Sequence, residues 1–200
     1  MTDQPEQNQK TTDSEVEEPR IEWNSRLLLW NVYLTQCLML GLGLGLLWFQ
    51  DRLSNQLFGF GEWKWWLWGA GVGLLVVWIE WILSHRLPEK WMDDGGINRL
   101  LFQNLSVPHI AWISALVAVS EEILFRGVLQ HWFGLVGTAL LFTLIHFRYL
   151  KQWLLVTLLF LISLLLGWLV EWSNLLIPAI ATHFVLDFVW GVLIRTRKFS

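Results

Sequence analysis

Long apolar segments recur along most of this chain, and they restrict its fold more than any other feature. Residues 27–50 contain no charged side chain, and they exceed the roughly 20 apolar residues that a membrane-spanning helix needs. Similar segments follow at 65–84, 109–130, 132–147, 152–170 and 176–194. They lack the alternation of barrel strands, and lipid accommodates only helices and closed barrels. The sequence therefore predicts an all-α, polytopic membrane bundle of about six transmembrane helices.

The composition agrees with a membrane protein and excludes several other classes. Of the 200 residues, 54% are hydrophobic and 16% are charged, whereas a soluble domain averages about 25% charged residues. A net charge of -3 gives no basis for nucleic-acid binding. Cys37 is the single cysteine, which rules out an internal disulfide and a multi-cysteine metal site. The expected partners are the lipid bilayer and a membrane protein or peptide, not a nucleic acid, and the sequence does not indicate the oligomeric state.

The distribution of Lys and Arg predicts the orientation in the membrane. With the N-terminus inside, eleven of them fall in inside segments, and only Arg52 and Lys64 fall in outside loops. Because cytoplasmic loops carry the excess of positive charge, we expect both ends of the chain to be cytoplasmic. The host membrane would be a plasma membrane or another internal bacterial-type or organellar membrane.

The chain divides into a polar tail and a membrane domain. Residues 1–26 are polar and acidic, which is typical of a disordered cytoplasmic tail. The transmembrane domain is expected at 27–198. Within its longest loop, "INRLLFQNL" at 97–105 predicts a short amphipathic helix on the cytoplasmic surface.

The stretch "SEEILFRGVLQ" at 120–130 places three charged side chains inside a predicted span. Each charge at the centre of a spanning helix costs about 2.5 to 3.5 kcal/mol on insertion scales. Glu122 and Arg126 are four residues apart, so they share a helix face and can form an ion pair. Glu121 lies about 100° around the helix and stays available for other work. The alternative is that Glu122 and Arg126 form only a structural clamp between helices.

Other ionisable residues lie in two later spans. His146 falls near the end of the fourth span, and His183 and Asp187 share one face of the sixth. Alone, a membrane histidine is often a hydrogen-bond partner between helices, and His183 with Asp187 can be an ordinary pair. Intramembrane ionisable residues on three helices favour a functional pocket that also includes Glu121. Glu80, near the inner end of the second span, is expected to snorkel towards the surface.

Three short patterns occur in order along these spans: "EEILFR" at 121–126, "FTLIH" at 142–146 and "HFVLD" at 183–187. They resemble the motifs of the CPBP family of intramembrane proteases, which includes the type II CAAX prenyl endopeptidases and the bacteriocin-processing or self-immunity (Abi-type) homologues. The resemblance covers a core of about residues 110–190.

The resemblance implies a role for each of these residues. Glu121 would activate water with support from His146, and Glu122 with Arg126 would hold the geometry of the first motif. His183 and Asp187 would stabilise the oxyanion. The prenyl-protease members carry Asn at the position of Asp187, and an ionised Asp accepts hydrogen bonds but donates none.

Metal dependence stays open at the level of sequence. Members of the family are described as metalloproteases, and Glu121, His146 and His183 are candidate ligands that would leave one zinc position open. A scheme with a glutamate base and an oxyanion hole needs no metal, and the HExxH pattern of soluble zinc proteases is absent.

These observations predict an intramembrane endopeptidase that cleaves a membrane-associated protein or peptide, with prenylated CAAX-type proteins as one substrate class. The reacting groups would lie in a polar cavity open to the cytoplasm. A non-catalytic membrane scaffold or peptide-immunity protein of the same fold is the first alternative. A proton-coupled transporter is the second, although inverted repeats and broken helices are not evident.

Overall fold

The computed structural model describes residues 24–92 and 94–196, and this part of the chain is helical without any β-strand. Its α-helices are α1 Ser25–Phe49, α2 Asn55–Phe58, α3 Trp63–Arg86, α4 Ile97–Phe102, α5 Val107–Glu122, α6 Gln130–Ile145, α7 Trp153–Ser173 and α8 Ile177–Thr196. A π-helix, Ile123–Leu129, joins α5 to α6. The predicted all-α class is confirmed.

Capping residues define several of the helix ends. The side chain of Asn24 accepts a hydrogen bond from the backbone N–H of Arg26, and Ser106 caps α5 in the same way. Asn174 ends α7 in the left-handed conformation, which asparagine tolerates better than most residues. Helix α1 begins at Ser25, two residues before the predicted start of the transmembrane domain at 27. Residues 1–23 of the predicted tail lie outside the described residues.

Within the described residues, five helical runs are long and apolar enough to cross a membrane. Four of them match predicted spans, and the run Val107–Ile145 contains both the third and the fourth. Gly134, with φ 66° and ψ 179°, interrupts this run. Only glycine readily adopts such a conformation. Gly134 lies three residues beyond the boundary that the sequence predicts between the third and fourth spans.

The chain reverses direction at Gly134. After it, Leu135 lies beside Gly167 of α7, and the ring of Phe142 packs on Phe125 with centroids 4.9 Å apart. The second half of α6 therefore returns alongside the π-helix. The third and fourth predicted spans are separate helices, the fourth being short.

Contacts between helix ends show that both ends of the described chain lie on one face of the bundle. The hydroxyl of Tyr33, in the first half of α1, is 2.7 Å from Nε2 of His109, at the start of α5. Near the end of α8, Arg195 donates to the carbonyl of Leu105 at 2.5 Å. We call this side the terminal face. The opposite side, the loop face, carries the 2.8 Å hydrogen bond from the Leu176 N–H to the Leu57 carbonyl. Which face is cytoplasmic stays a prediction from the charge distribution.

Helix α4 lies on the terminal face, where the sequence predicted a short surface helix. The ring of Phe102 approaches Gly191 of α8. The phenol of Tyr149, in the turn after α6, accepts a 3.4 Å hydrogen bond from Asn98. The helix is thereby fixed to two other parts of the bundle.

Close packing between α3 and α8 sets the position of the helix that carries His183 and Asp187. The hydroxyl of Thr182 donates to the Gly69 carbonyl at 2.9 Å. A Cβ at Gly69 would lie 2.4 Å from the Pro178 oxygen, and one at Gly73 would lie 2.8 Å from the Thr182 oxygen. The two glycines therefore allow the backbones to meet, as small residues do at membrane helix interfaces.

Candidate active site

The paired glutamates lie at the point where α5 changes into the π-helix. Glu122 is the last residue of α5, and Ile123–Leu129 follow with the wider turn of a π-helix. The sequence predicted an ordinary α-helix through this region, which is wrong for these seven residues. Single-turn π segments are rare and occur frequently at functional sites.

Glu122 is the centre of a buried charged cluster. Its Oε1 accepts from Nη1 of Arg126 at 3.0 Å, as predicted, and from Nδ1 of His183 at 2.8 Å. Nη2 of Arg126 donates to the hydroxyl of Ser163 on α7 at 2.9 Å. The guanidinium also lies over the ring of Phe142 at 4.7 Å, close enough for a cation–π contact. Glu122 is fully buried, so it depends on these partners for its stability.

Glu121 is held differently from its neighbour. Its Oε1 accepts a 3.0 Å hydrogen bond from Nε2 of Gln36 on α1. Its Oε2 lies 3.9 Å from Nε2 of His183, too far for a direct hydrogen bond. One oxygen of Glu121 is thus fixed by a neutral amide, and the other is available next to the imidazole.

His183 connects the two glutamates to Asp187. Because the carboxylate of Glu122 only accepts hydrogen bonds, Nδ1 of His183 carries a proton. Nε2 is then the ring atom next to Glu121 and lies 3.6 Å from Oδ2 of Asp187. Distances of 3.6 and 3.9 Å suit polar groups that share a bridging water. The predicted common face of His183 and Asp187 is therefore formed.

Within the described part of the chain, His146 forms its side-chain hydrogen bond with its own helix and not with a glutamate. Its Nδ1 donates to the carbonyl of Phe142 at 2.7 Å, and its ring lies 4.6 Å from the Phe142 ring. Phe142 in turn lies 6.4 Å from His183. Among the described residues no hydrogen bond or ion pair joins His146 to Glu121. The supporting role expected for His146 therefore stays a prediction.

The candidate metal ligands do not converge. Within 24–92 and 94–196, no group of three His, Cys, Asp or Glu side chains is arranged to hold a metal ion. The set of Glu121, His146 and His183 thus does not fit zinc as it stands, since a structural or catalytic zinc needs at least three ligands around one point.

Three polar residues that the motifs do not include also belong to the site. Gln36 and Ser120 contact each other beside Glu121, and Ser163 accepts from Arg126. Gln36 is a polar residue inside the first apolar span, and this position is the sequence feature that could have identified it as a site residue. The sequence contains no such signal for Ser163, because serines are common in membrane helices.

Glu80 differs from its predicted behaviour. Its Oε2 accepts a 2.6 Å hydrogen bond from the indole of Trp190 on α8. The side chain therefore faces α8 and does not snorkel towards the surface. Trp190 is three residues after Asp187, so α3 is joined to α8 close to the site.

The fold and the site together define a polytopic membrane protein with two adjacent glutamates buried against a histidine of another helix. Residues 103–189 match the family model described as "Type II CAAX prenyl endopeptidase Rce1-like". The chain is also 38% identical over 152 residues to the "Uncharacterized protein YpbD" of Bacillus subtilis (strain 168), covering 76% of this chain and 80% of that protein. No solved structure matches.

The chain therefore belongs to the Rce1-like family of CAAX-type membrane proteases. This confirms the resemblance drawn from the three motifs, and the matched region covers all of them. The five apolar helical runs and the family together identify an integral membrane protein.

Proposed function

We propose that this protein is an intramembrane endopeptidase in which Glu121 activates the attacking water. The observation that carries the proposal is the different state of the two adjacent glutamates. Glu122 is completely buried: its Oε1 is held by Arg126 and His183, and its Oε2 has no hydrogen-bond partner among the described residues. Glu121 is the more exposed of the two, its Oε1 is held only by the neutral amide of Gln36, and its Oε2 lies 3.9 Å from His183 Nε2. A purely structural clamp needs only the first arrangement. A general base needs the second.

The reaction uses water as its co-reactant. Water placed between Oε2 of Glu121 and Nε2 of His183 gives a proton to Glu121, and its oxygen attacks the carbonyl carbon of the scissile peptide bond. The proton then passes from Glu121 to the departing amine as the C–N bond breaks. The products are a carboxylic acid and an amine, and Glu121 returns to its ionised form.

His183 is placed to stabilise the oxyanion. When both ring nitrogens carry protons, Nδ1–H donates to Glu122 and Nε2–H remains available for the developing negative charge. Before the oxyanion forms, Asp187, 3.6 Å from the same Nε2, attracts the Nε2–H group and so orients the ring. In this scheme Glu122 and Arg126 hold His183 and do not touch the substrate.

The site opens towards the terminal face. The side chain of Asp187 is 33% exposed, whereas that of Glu122 is completely buried. Asp187 also lies one turn of α8 nearer to the terminal face than His183. With the positive-inside orientation, this opening is cytoplasmic. A membrane-associated protein or peptide would reach it from that side, and a prenylated CAAX-type protein is one such substrate.

Hydrolysis in heavy-oxygen water tests the proposal. Proteoliposomes with wild-type protein or Glu121→Gln are fused with membranes from a host that lacks the protein, and new C-termini are identified by mass spectrometry. We expect C-terminal carboxyl groups carrying heavy oxygen with the wild type alone. Equal products from the two proteins, or none from either, would contradict the proposal.

A further inference from the structure

Gln36 of α1 bridges two side chains of α5 at the candidate base. Its Nε2 donates to Oε1 of Glu121 at 3.0 Å, and its Oε1 contacts the hydroxyl of Ser120. Gln36 is 8% exposed and Ser120 is fully buried. Water therefore does not readily replace either contact. None of the three family motifs includes Gln36.

The direction of the Gln36 amide follows from the chemistry of its two neighbours. A carboxylate accepts hydrogen bonds only, so the NH₂ group must face Glu121 and the amide oxygen must face Ser120. The Ser120 hydroxyl has alternative acceptors in the carbonyls of Leu116, at 2.7 Å, and Val117, at 3.1 Å. If the Ser120 hydroxyl donated to one of these carbonyls, its oxygen and the amide oxygen of Gln36 would be in contact without a proton between them. Ser120 therefore donates to Gln36 and fixes the orientation of the amide.

We propose that Gln36, oriented by Ser120, is a positioning residue for the reacting carboxylate of Glu121. The amide occupies Oε1 and fixes the rotation of the carboxylate, so that Oε2 stays beside His183. Without the amide, the carboxylate turns more freely, and fewer of its orientations bring an oxygen to the water. This inference rests on the proposed function, because the contact between Gln36 and Glu121 affects catalysis only if Glu121 is the general base.

Enzyme kinetics provide the first test. The substrate is a synthetic peptide that spans the cut identified in heavy-oxygen water, and the enzyme is the full chain in liposomes. Gln36→Met keeps an unbranched side chain of similar length but removes the donor. We expect kcat to fall about tenfold to a hundredfold, as misplaced catalytic groups cause, with KM little changed because Gln36 is not expected to touch the substrate. Ser120→Ala should lower kcat less, because the amide can still adopt the correct direction.

Two matched controls separate positioning from general damage to these helices. Thr35 precedes Gln36, is exposed, and bonds only to carbonyls of its own helix, so Thr35→Val should keep the wild-type kcat. Ser114 is 1% exposed on α5, and its hydroxyl has no hydrogen-bond partner among the described residues. Ser114→Ala should therefore also behave as wild type. Wild-type kcat in Gln36→Met, or equal losses in the controls, would overturn the inference.

A thermal double-mutant cycle tests the contact without any assay of cleavage. The Tm is measured for Gln36→Met, Glu121→Ala and the double variant in the same detergent. Because removing both partners leaves no orphaned donor or acceptor, we expect the double variant to lose less than the sum of the two single shifts, by about 3 °C or more. Additive shifts would overturn the contact itself. If the two replacements are coupled in Tm but the wild-type protein cleaves nothing, the proposed function is refuted. Gln36 is then only a structural partner of Glu121.

Discussion

His183 on α8 and Glu122 at the end of α5 are joined by a 2.8 Å contact between Nδ1 and Oε1. The same oxygen accepts from Arg126 at 3.0 Å, so one carboxylate determines both the protonated nitrogen of the imidazole and the position of α8 against α5. The free nitrogen, Nε2, is directed to Glu121 and Asp187. The charges in "SEEILFRGVLQ" thus form a clamp between helices, and in the proposed function they also support a reactive group.

Replacing only one member of the buried Glu122–Arg126 pair should destabilise the protein more than replacing both. Arg126→Met leaves Glu122 buried with fewer compensating donors, and breaking such a pair costs about 3 to 5 kcal/mol. Glu122→Gln combined with Arg126→Met leaves no uncompensated charge and should recover part of that loss. Thermal unfolding in detergent measures both. Glu121→Gln is the control, and its Tm should stay near the wild-type value because its amide oxygen can still accept from Gln36. A double variant less stable than Arg126→Met would show that the pair is not a charge-compensating unit.

Packing between α3 and α8 should depend on Gly69 and not on Gly71. A Cβ at Gly69 would lie 2.4 Å from the Pro178 oxygen and 2.8 Å from the Ala181 Cβ, whereas one at Gly71 would meet nothing within 4 Å. Gly69→Ala should therefore destabilise the bundle by about 1 to 3 kcal/mol, the usual cost of overpacking, and shift the helix that carries His183. Gly71→Ala should keep the wild-type Tm and cleavage rate. Equal behaviour of the two variants would contradict the close approach of the helices.

Asp187 is the site residue that departs from the pattern of the prenyl-protease members. Asp187→Asn keeps an oxygen that can accept from the His183 side and adds an N–H donor for the oxyanion. We therefore expect it to cleave at least as fast as the wild type. Asp187→Leu removes the acceptor that orients His183, the proposed oxyanion donor, and should lose roughly a hundredfold in kcat, comparable with the loss of one oxyanion-hole contact. Should Asp187→Asn be as inactive as Asp187→Leu, the negative charge itself would be the required feature.

Much of this architecture was predictable because it depends on local spacing. Residues four apart share a helix face, and this gave the Glu122–Arg126 pair and the His183–Asp187 face. Segment length and composition gave the spans, and the pattern at 97–105 gave α4. These features need no knowledge of which helices are neighbours.

The remaining features depend on tertiary packing, and the sequence could not show them. The residues of Ile123–Leu129 do not distinguish a π-helix from an α-helix, and Gly134 is not distinguishable in sequence from the other glycines of the membrane helices. Gln36 becomes meaningful only when α1 lies beside Glu121. The resemblance assigns His146 a supporting role for Glu121, and in the structure its ring packs on Phe142, whose ring centroid is 6.4 Å from that of His183.

Accessibility of single cysteines should report the arrangement of the two faces. Asn104 is exposed on the terminal face, and Ser54 is exposed on the loop face. In a Cys37→Ala background, Asn104→Cys should react with a membrane-impermeant thiol reagent only from the cytoplasmic side, and Ser54→Cys only from the opposite side. If Ser54→Cys reacts only from the cytoplasmic side and Asn104→Cys only from the other side, the orientation predicted from the charges is reversed. Reaction of both from one side would contradict the number of crossings.

In the proposed function, proteolysis depends on the carboxylate of Glu121, and the termini of membrane proteins in living cells report this dependence. A host that lacks the protein is supplied with the wild type or with Glu121→Gln at matched levels of inserted, folded protein. We predict new protein termini with the wild type alone, because loss of a general base lowers the rate by about 10²- to 10⁴-fold. Identical sets of termini from the two strains would contradict this dependence and would leave the buried charges as a clamp between helices.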